Sequence, residues 1–381
     1  MAKNHEVSWI GSEASRRAKS AVAVALSFAI VIGGLGFGGW KAYGLYMSFR
    51  QQTDYIGDGK DPVQVVIPDG TSIGGQADIL VAADVIKSPA PYEAISDTQY
   101  VQPGTYSLKT QLPAATAVDM LLDAKNRVVV KVTIPEGARW TSIVPILEQN
   151  QMTEDQINAA WAKLTDNPAS FGLDPAVVGD YPEGFLFPDT YVLNVPPDPL
   201  DLLHQAVGEF ISVATSLDMS DQAANLTCGT DPCTVKDIVT IASIIEGEVS
   251  RPDDQPKVAR AILNRLAAGM PLGVESAFRY GRLMVDGVPY SDPITGASQR
   301  DASLPYNIYI HPGLPATPIG NPGRSAMQAA LNPADGNWIY WVTINLNTGE
   351  TEFSSDEAGF NASVAKLRQW CSDNGNPAGC Q

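Results

Sequence analysis

Ile238-Val239-Thr240-Ile241-Ala242-Ser243-Ile244-Ile245-Glu246 is an almost continuous apolar run that ends on a carboxylate. Ahead of it, Thr234-Val235-Lys236-Asp237 has capping-box spacing with Asp in place of Glu, so a helix is expected to start there. Apolar on nearly every side, this helix belongs in the centre of a domain. A carboxylate delivered to such a place loses solvation, its pKa rises, in favourable cases to roughly 6, and it can hold a proton at neutral pH for a leaving oxygen. Glycosidic bond cleavage suits such an acid.

Working outward, Pro252 and Pro256 enforce a break, and a second helix is expected over residues 257–268, with Val258, Ile262 and Leu266 on one stripe and Gly269 as its stop. Glu246 then lies near the corner of a helical hairpin. Glu248 invites a two-carboxylate glycosidase reading. Two residues apart on a helix point about 200° apart, so both cannot face one bond unless the helix ends at Gly247. A hydrogen-bonded or solvated helix-end carboxylate is the plain alternative for Glu246, and spacing does not separate the two. Asn264 and Arg265, on or near the polar edge of the second helix, suit hydroxyl or acetamido groups of a sugar; an ion-paired surface Arg is the commoner case. Residues 303–323 hold five prolines, and Tyr306, Asn307, Tyr309 and His311 there combine flat apolar faces with polar tips, as a carbohydrate groove or a packed surface loop would. The chain has no G-x-S-x-G, P-loop, Rossmann or H-E-x-x-H pattern, so neither a serine nucleophile nor a cofactor is expected.

A weak repeat organises the first half. Val63-Gln64-Val65-Val66-Ile67-Pro68-Asp69-Gly70 is echoed by Val128-Val129-Val130-Lys131-Val132-Thr133-Ile134-Pro135-Glu136-Gly137, each a β-rich run stopped by Pro-acid-Gly turn chemistry. Helices are expected over residues 72–86 and 141–149, with another opening at 153, and a strand near 101–108. Residues 181–191 read as a stiff aromatic loop, 200–217 and 325–331 as helices, and 338–344 with 351–354 as a hairpin around Asn347-Thr348-Gly349. The fold class is therefore α+β.

The 381 residues suffice for about two or three domains. The net charge of −17 arises after residue 40, which argues against a nucleic-acid partner and leaves neutral glycans open. Residues 21–40 contain no charge, a length that crosses a bilayer once and exceeds the apolar core of about 7 to 15 residues in a signal peptide. Arg16, Arg17 and Lys19 favour a cytoplasmic N-terminus. All four cysteines follow the span as two short-range pairs, Cys228 with Cys233 and Cys371 with Cys380. Neither pair has metal-ligand spacing, and His5, His204 and His311 are scattered, so disulfides of an exported domain are expected and no metal.

Three ordered blocks resemble one family. Ala242-Ser243-Ile244-Ile245-Glu246, Pro256-Lys257-Val258-Ala259 and Leu263-Asn264-Arg265-Leu266 with Gly269-Met270-Pro271-Leu272 look like the core signature of the MltG (YceG-like) endolytic murein transglycosylases. Glu183-Gly184 with Leu186-Phe187-Pro188-Asp189-Thr190-Tyr191 resembles a second block. Tyr306-Asn307, Tyr309, His311-Pro312-Gly313-Leu314-Pro315, Pro318-Ile319 and Asn321-Pro322-Gly323 resemble a third.

The resemblance implies a cytoplasmic tail (1–20), a transmembrane helix (21–40), a linker (41–61), a LysM-like subdomain (62–126) and an extracytoplasmic catalytic domain (127–381). It implies Glu246 as catalytic acid and base, with Glu183, Asn264, Arg265, Glu275, Tyr306 and Asn307 as substrate-binding residues and peptidoglycan glycan strands as partner. Two departures stand out: Leu272-Gly273-Val274-Glu275-Ser276-Ala277 replaces the usual Leu-Gln-(Ser/Thr)-Asp-Pro-Thr, and Phe360 replaces a usual His. The rival readings are a hydrolytic muramidase and a catalytically weak glycan-binding scaffold that recruits cell-wall synthases.

Overall fold

In the structure, a computed structural model, residues 33, 35–47, 53–96, 99–179, 181–287, 289, 294, 296, 298–377 and 380 are described. Most of the expected membrane span lies outside them; residues 35–47 are helical, and among the described residues no helix is long and apolar enough to cross a membrane. The fold is mixed α+β, and the chain divides into two compact units, Met1–Val128 and Val129–Gln381.

The first unit runs β1 (Pro62–Ile67), α1 (Ile73–Ala82), α2 (Pro89–Ser96), β2 (Gly104–Lys109) and α3 (Ala114–Leu122). β1 and β2 are antiparallel, in register from Pro62 opposite Lys109 to Ile67 opposite Gly104. The Pro68-Asp69-Gly70 turn needs a left-handed residue, and Gly70 has φ +71°; Ser72 then caps α1 by accepting from Gly75 N at 3.2 Å. Val65, Ile67, Leu80, Tyr92, Tyr106 and Leu108 form the core. The helix expected to reach residue 86 stops at Ala82 and a second one starts at Pro89. The break is at Asp84, whose φ is +54° and whose carboxylate accepts from Tyr55 Oη at 2.6 Å and Gln111 Nε2 at 3.0 Å, contacts that a continuing helix would forgo.

In the second unit, residues from Val129 of β3 (Arg127–Thr133) pair antiparallel with β4 (Thr190–Asn194). Between these strands come α4 (Trp140–Gln149), α5 (Glu154–Asp166) and the single turn α6 (Pro175–Val178). After β4 follow α7 (Pro199–Ser216), α8 (Met219–Ala224), the minimal hairpin β5 (Thr227–Cys228) and β6 (Asp231–Pro232), and α9 (Val235–Glu248). Then come α10 (Gln255–Ala267), α11 (Glu275–Asp286), α12 (Arg324–Leu331), the hairpin β7 (Tyr340–Asn345) and β8 (Glu350–Ser354), and α13 (Glu357–Asp373).

α9 is the axis of this unit. Its capping box forms as read: Thr234 N donates to Asp237 Oδ2 at 2.8 Å and Asp237 N to Thr234 Oγ1 at 3.2 Å. Every residue from Ile238 to Ile245 is buried, packed among α12, α10, α11 and α8. A fully buried Val or Ile stabilises by about 1.5–3 kcal/mol, so Ile238, Val239, Ile241, Ile244 and Ile245 hold the helix, and the carboxylate at its end, rigidly in place. The disulfide Cys228–Cys233 closes the β5–β6 hairpin just ahead of the α9 cap, and Cys371–Cys380 closes the end of α13.

Several elements went unread in the sequence, among them α2, α3, α6 and α8. β4 lies inside what looked like an aromatic loop; Tyr191 and Leu193 face the core from it. α11 buries Ala277, Phe278, Tyr280, Gly281 and Leu283, a face made of small and aromatic residues rather than an aliphatic stripe. α13 buries only Ser363 and Cys371, so no apolar period marks it.

Candidate active site

The site grows from two turns locked together by backbone. Gly137 N donates to Asn321 O at 2.8 Å and Asn321 N to Ala138 O at 2.9 Å, joining the β3–α4 turn to the segment before α12. The fully buried Asn321 side chain strengthens the lock: Nδ2 donates to Ala138 O at 2.8 Å and Glu183 Oε1 at 3.2 Å, and Oδ1 accepts from Gly184 N at 3.0 Å and Leu186 N at 2.9 Å. All four hydrogen-bonding positions of the amide are used, so its orientation is fixed.

Glu246, half-buried at the last turn of α9, meets this lock. Its Oε2 accepts from Gly323 N at 3.0 Å. Burial pushes its pKa up, the Gly323 amide opposes the rise, and the negative charge of Glu136 adds to it. Gly137 is required by its φ of +70°, and a methyl there would lie at ordinary contact distance, 3.4 Å, from Glu246 Cγ. Glu248 faces elsewhere, as the helix geometry requires. Ser276 Oγ donates to its Oε1 at 2.8 Å and Trp341 Nε1 to its Oε2 at 3.3 Å. Burial raises its pKa too, against these two donors. A depression of about 620 Å³ beside this end of α9 is lined by Arg139, Gly247, Glu248, Ser276 and Trp341, among others.

Glu183 is buried, with 1% of its surface exposed. It accepts from Trp140 N at 3.1 and 3.2 Å, from Asn321 Nδ2 and, at 3.4 Å, from Tyr280 Oη, and so caps the start of α4 from inside the protein. Burial raises its pKa to about 7 against the Trp140 amide, the Arg139 charge and the other two donors. Arg139 lies 5.3 Å over the Tyr280 ring and donates to Ile319 O at 3.1 Å.

The other residues singled out in the sequence are spread over the supporting shell. Asn264 donates to Trp338 O at 2.8 Å and Gly336 O at 3.2 Å. Arg265 donates to Ile339 O and Leu272 O and stacks under Tyr340 and Trp341, at 5.0 and 5.4 Å from the ring centres. Together they tie α10 to the start of β7. Glu275 is exposed and pairs with Arg279 at 2.6 Å on α11. Tyr306 shares a hydrogen bond with Thr317 at 2.9 Å and packs edge-on against Tyr280. Asn307, fully buried, donates to Gln299 O and Asp301 O and pins its own loop. Of the set only Glu246 and Glu183 reach the Asn321 lock directly. Phe360 packs against Tyr340, ring centres 5.0 Å apart. In the altered segment, Ser276 is the residue that holds Glu248. Among the described residues no cluster of three His, Cys, Asp or Glu could hold a metal ion.

Sequence reasoning missed Glu136, which it took for turn chemistry, and the hub role of Asn321. The only signal for either was position: Glu136 recurs as the acid of a Pro-acid-Gly repeat, and Asn321 lies within a Pro-rich block.

A Glu-ended buried helix, locked against an Asn-Pro-Gly turn and a Pro-Glu-Gly turn, lies within the region over which the sequence matches the YceG-like family, residues 65–366. The chain belongs to the YceG-like family. An endolytic murein transglycosylase of Bacillus subtilis is 28% identical over 314 residues, covering 78% of this chain and 82% of that one. One from Streptococcus pneumoniae (D39) is 22% identical over 372 residues, covering 90% of this chain but 65% of its own length. The crystal structure of a YceG-like protein from Listeria monocytogenes superposes with a TM-score of 0.51 at 24% identity, over 80% of this chain and 99% of that one, a likeness of fold.

Proposed function

We propose that this YceG-like protein is a membrane-anchored endolytic lytic transglycosylase that cuts MurNAc-β-1,4-GlcNAc bonds in nascent peptidoglycan strands and leaves 1,6-anhydroMurNAc ends. The observation that carries this reading is Glu246: a carboxylate at the end of a buried helix, fixed by one backbone amide, with burial favouring its protonated form. The acid gives its proton to the bridging O4 as the C1–O4 bond breaks and the bond electrons pass to that oxygen. The carboxylate then takes the proton of the MurNAc C6 hydroxyl, whose oxygen closes on C1. Glu246 ends protonated, as it began, and no water is consumed. Because the nucleophile is tethered to the same sugar, no second carboxylate is needed to activate water.

The anchor and location rest on the uncharged run at residues 21–40 and on two disulfides, which belong to an oxidising compartment. The β-α-α-β order over residues 62–109 supports a LysM-like glycan-binding role for the first unit. Asn264, Arg265, Tyr306 and Asn307 support the reading through the protein groups they bind, which fix α10 against β7 and hold the Pro-rich loop. The names of the Bacillus and Streptococcus relatives favour the same activity.

The test is digestion of purified glycan strands in heavy-oxygen water, followed by mass spectrometry. Expected are long strands shortened internally, anhydro ends lacking the mass of one water, no incorporated label, and at least a thousandfold loss of rate in Glu246→Gln with an unchanged circular dichroism spectrum. Labelled reducing ends would make the protein a muramidase; strand binding without cleavage would make it a scaffold.

A further inference from the structure

Among the described residues, Glu136 is a carboxylate outside α9 whose charge acts on Glu246. It sits on the β3–α4 turn, whose backbone is bonded on both sides of Asn321 to the segment carrying Gly323. A methyl on Gly323 would lie 2.1 Å from Glu136 Oε1 and 2.5 Å from its Cδ, so the Glu136 carboxyl lies directly on that glycine. The amide of the same glycine donates to Glu246 Oε2, and a methyl on Gly137, the residue after Glu136, would meet Glu246 Cγ at 3.4 Å. Gly323 therefore lies beside both acids, hydrogen-bonded to Glu246 and packed under Glu136. Glu136 is exposed and, among the described residues, makes no hydrogen bond or ion pair, so its charge is not compensated by the protein.

The charged groups on the surrounding elements are engaged elsewhere. Glu248 is held by Ser276 and Trp341; Arg139 lies over Tyr280 and bonds Ile319 O. Glu275 pairs with Arg279 on α11, Lys257 with Asp254 at α10, and Arg324 at the start of α12 donates to Ser216 on α7.

We propose that Glu136 is a positioning residue for proton transfer: its carboxylate, set across Gly323 from that of Glu246, keeps the proton on Glu246 until the glycosidic oxygen takes it. This rests on Glu246 being the acid. Physically, a neighbouring negative charge disfavours ionisation of the second carboxyl, and burial of Glu246 works in the same direction. The arrangement separates the two duties of a paired-carboxylate site: one acid reacts, and the other sets its protonation from outside without touching the sugar. Gly323 is required for it, because any side chain there would displace Glu136.

The test is the pH dependence of kcat on purified glycan strands for the full-length wild type, Glu136→Gln, Glu136→Asp and Glu246→Gln. The basic limb of kcat reports loss of the proton from the acid in the complex. In Glu136→Gln this limb moves to lower pH by about one unit, giving about a tenfold loss of kcat above the limb, full recovery on acidification and a KM within about twofold of wild type. Glu136→Asp retains most of the wild-type position. Because Glu136 is exposed, about 1 M salt moves the wild-type limb toward that of the Gln variant and leaves the variant's limb in place. An unchanged limb in Glu136→Gln, a loss of kcat equal at every pH, or a rise in KM alone overturns the proposal, the last two marking a structural or substrate-contact role. If Glu246→Gln is inactive while Glu136→Gln keeps the wild-type profile, this inference fails alone; if Glu246→Gln keeps its rate, the assignment of Glu246 falls with it.

Discussion

Replacing Glu183 by Gln should change how stability depends on pH, by an amount the structure sets. The folded protein holds the proton on Glu183 up to about pH 7, against an ordinary value of 4.5, because burial outweighs the donors Trp140 N, Asn321 and Tyr280. Below pH 4.5 the carboxyl is neutral in both folded and unfolded chains and costs nothing. Between pH 4.5 and 7 the unfolded chain releases a proton that the folded one keeps, so stability falls as pH rises, and the fall ends once the folded group also ionises. The interval from 4.5 to about 7 corresponds to a loss of about 3 kcal/mol. Gln cannot ionise, and its carbonyl still accepts from Trp140 N; any penalty from its amide group facing donors is the same at every pH. Urea unfolding at steps from pH 4.5 to 7.5 is followed by the fluorescence of Trp140, which stacks on Trp161 at 4.1 Å. Glu246 and Glu248 also have raised pKa values, but they are present in both proteins and cancel in the comparison. The stability difference between variant and wild type should move in favour of the variant by about 3 kcal/mol across this range. A difference constant to about 0.5 kcal/mol would show that Glu183 is ionised throughout and that the donors outweigh its burial.

Asn321→Ala leaves the buried Gly184 and Leu186 amides without their acceptor and removes both Nδ2 bonds; it should destabilise by about 3–5 kcal/mol in urea titration and lower cleavage, because Gly323 lies two residues further on. A loss under about 1 kcal/mol would mean the two turns hold together without it. Replacing Cys228 and Cys233 together by Ser opens a loop with a sequence separation of 5 and should cost about 2 kcal/mol in thermal unfolding, with the α9 cap at Thr234 still formed. A cost under about 0.5 kcal/mol would show that the capping box alone fixes the start of α9.

What the sequence determined by itself was local. Period, caps and turn residues follow from the chain's own stereochemistry, so α9 with its Thr234–Asp237 box, the Pro-Asp-Gly and Pro-Glu-Gly turns, and the β7–β8 hairpin were all legible. Short sequence separation likewise made the two disulfides legible. Helix geometry was enough to separate Glu246 from Glu248, and the two do bind different partners. α11 and α13 escaped because their buried faces are too small or too mixed to leave a period, and the helix at residues 72–86 was overrun because Asp84 finds partners 29 and 27 residues away.

The neighbours of Glu246 were decided by tertiary structure alone. Glu136 stands 110 positions before it and Gly323 77 after it in the numbering, and nothing in the local pattern relates the three. They meet because a buried amide at Asn321 must satisfy its donors and acceptors, and the groups that do so belong to turns far apart in the chain. Glu183 was read as a substrate contact from a motif; whether a carboxylate meets sugar or protein depends on its burial, and the fold sets Glu183 inside, against the start of α4. Burial and long-range hydrogen bonding are properties of the packed chain, which is why Glu246 was visible in one dimension and its surroundings only in three.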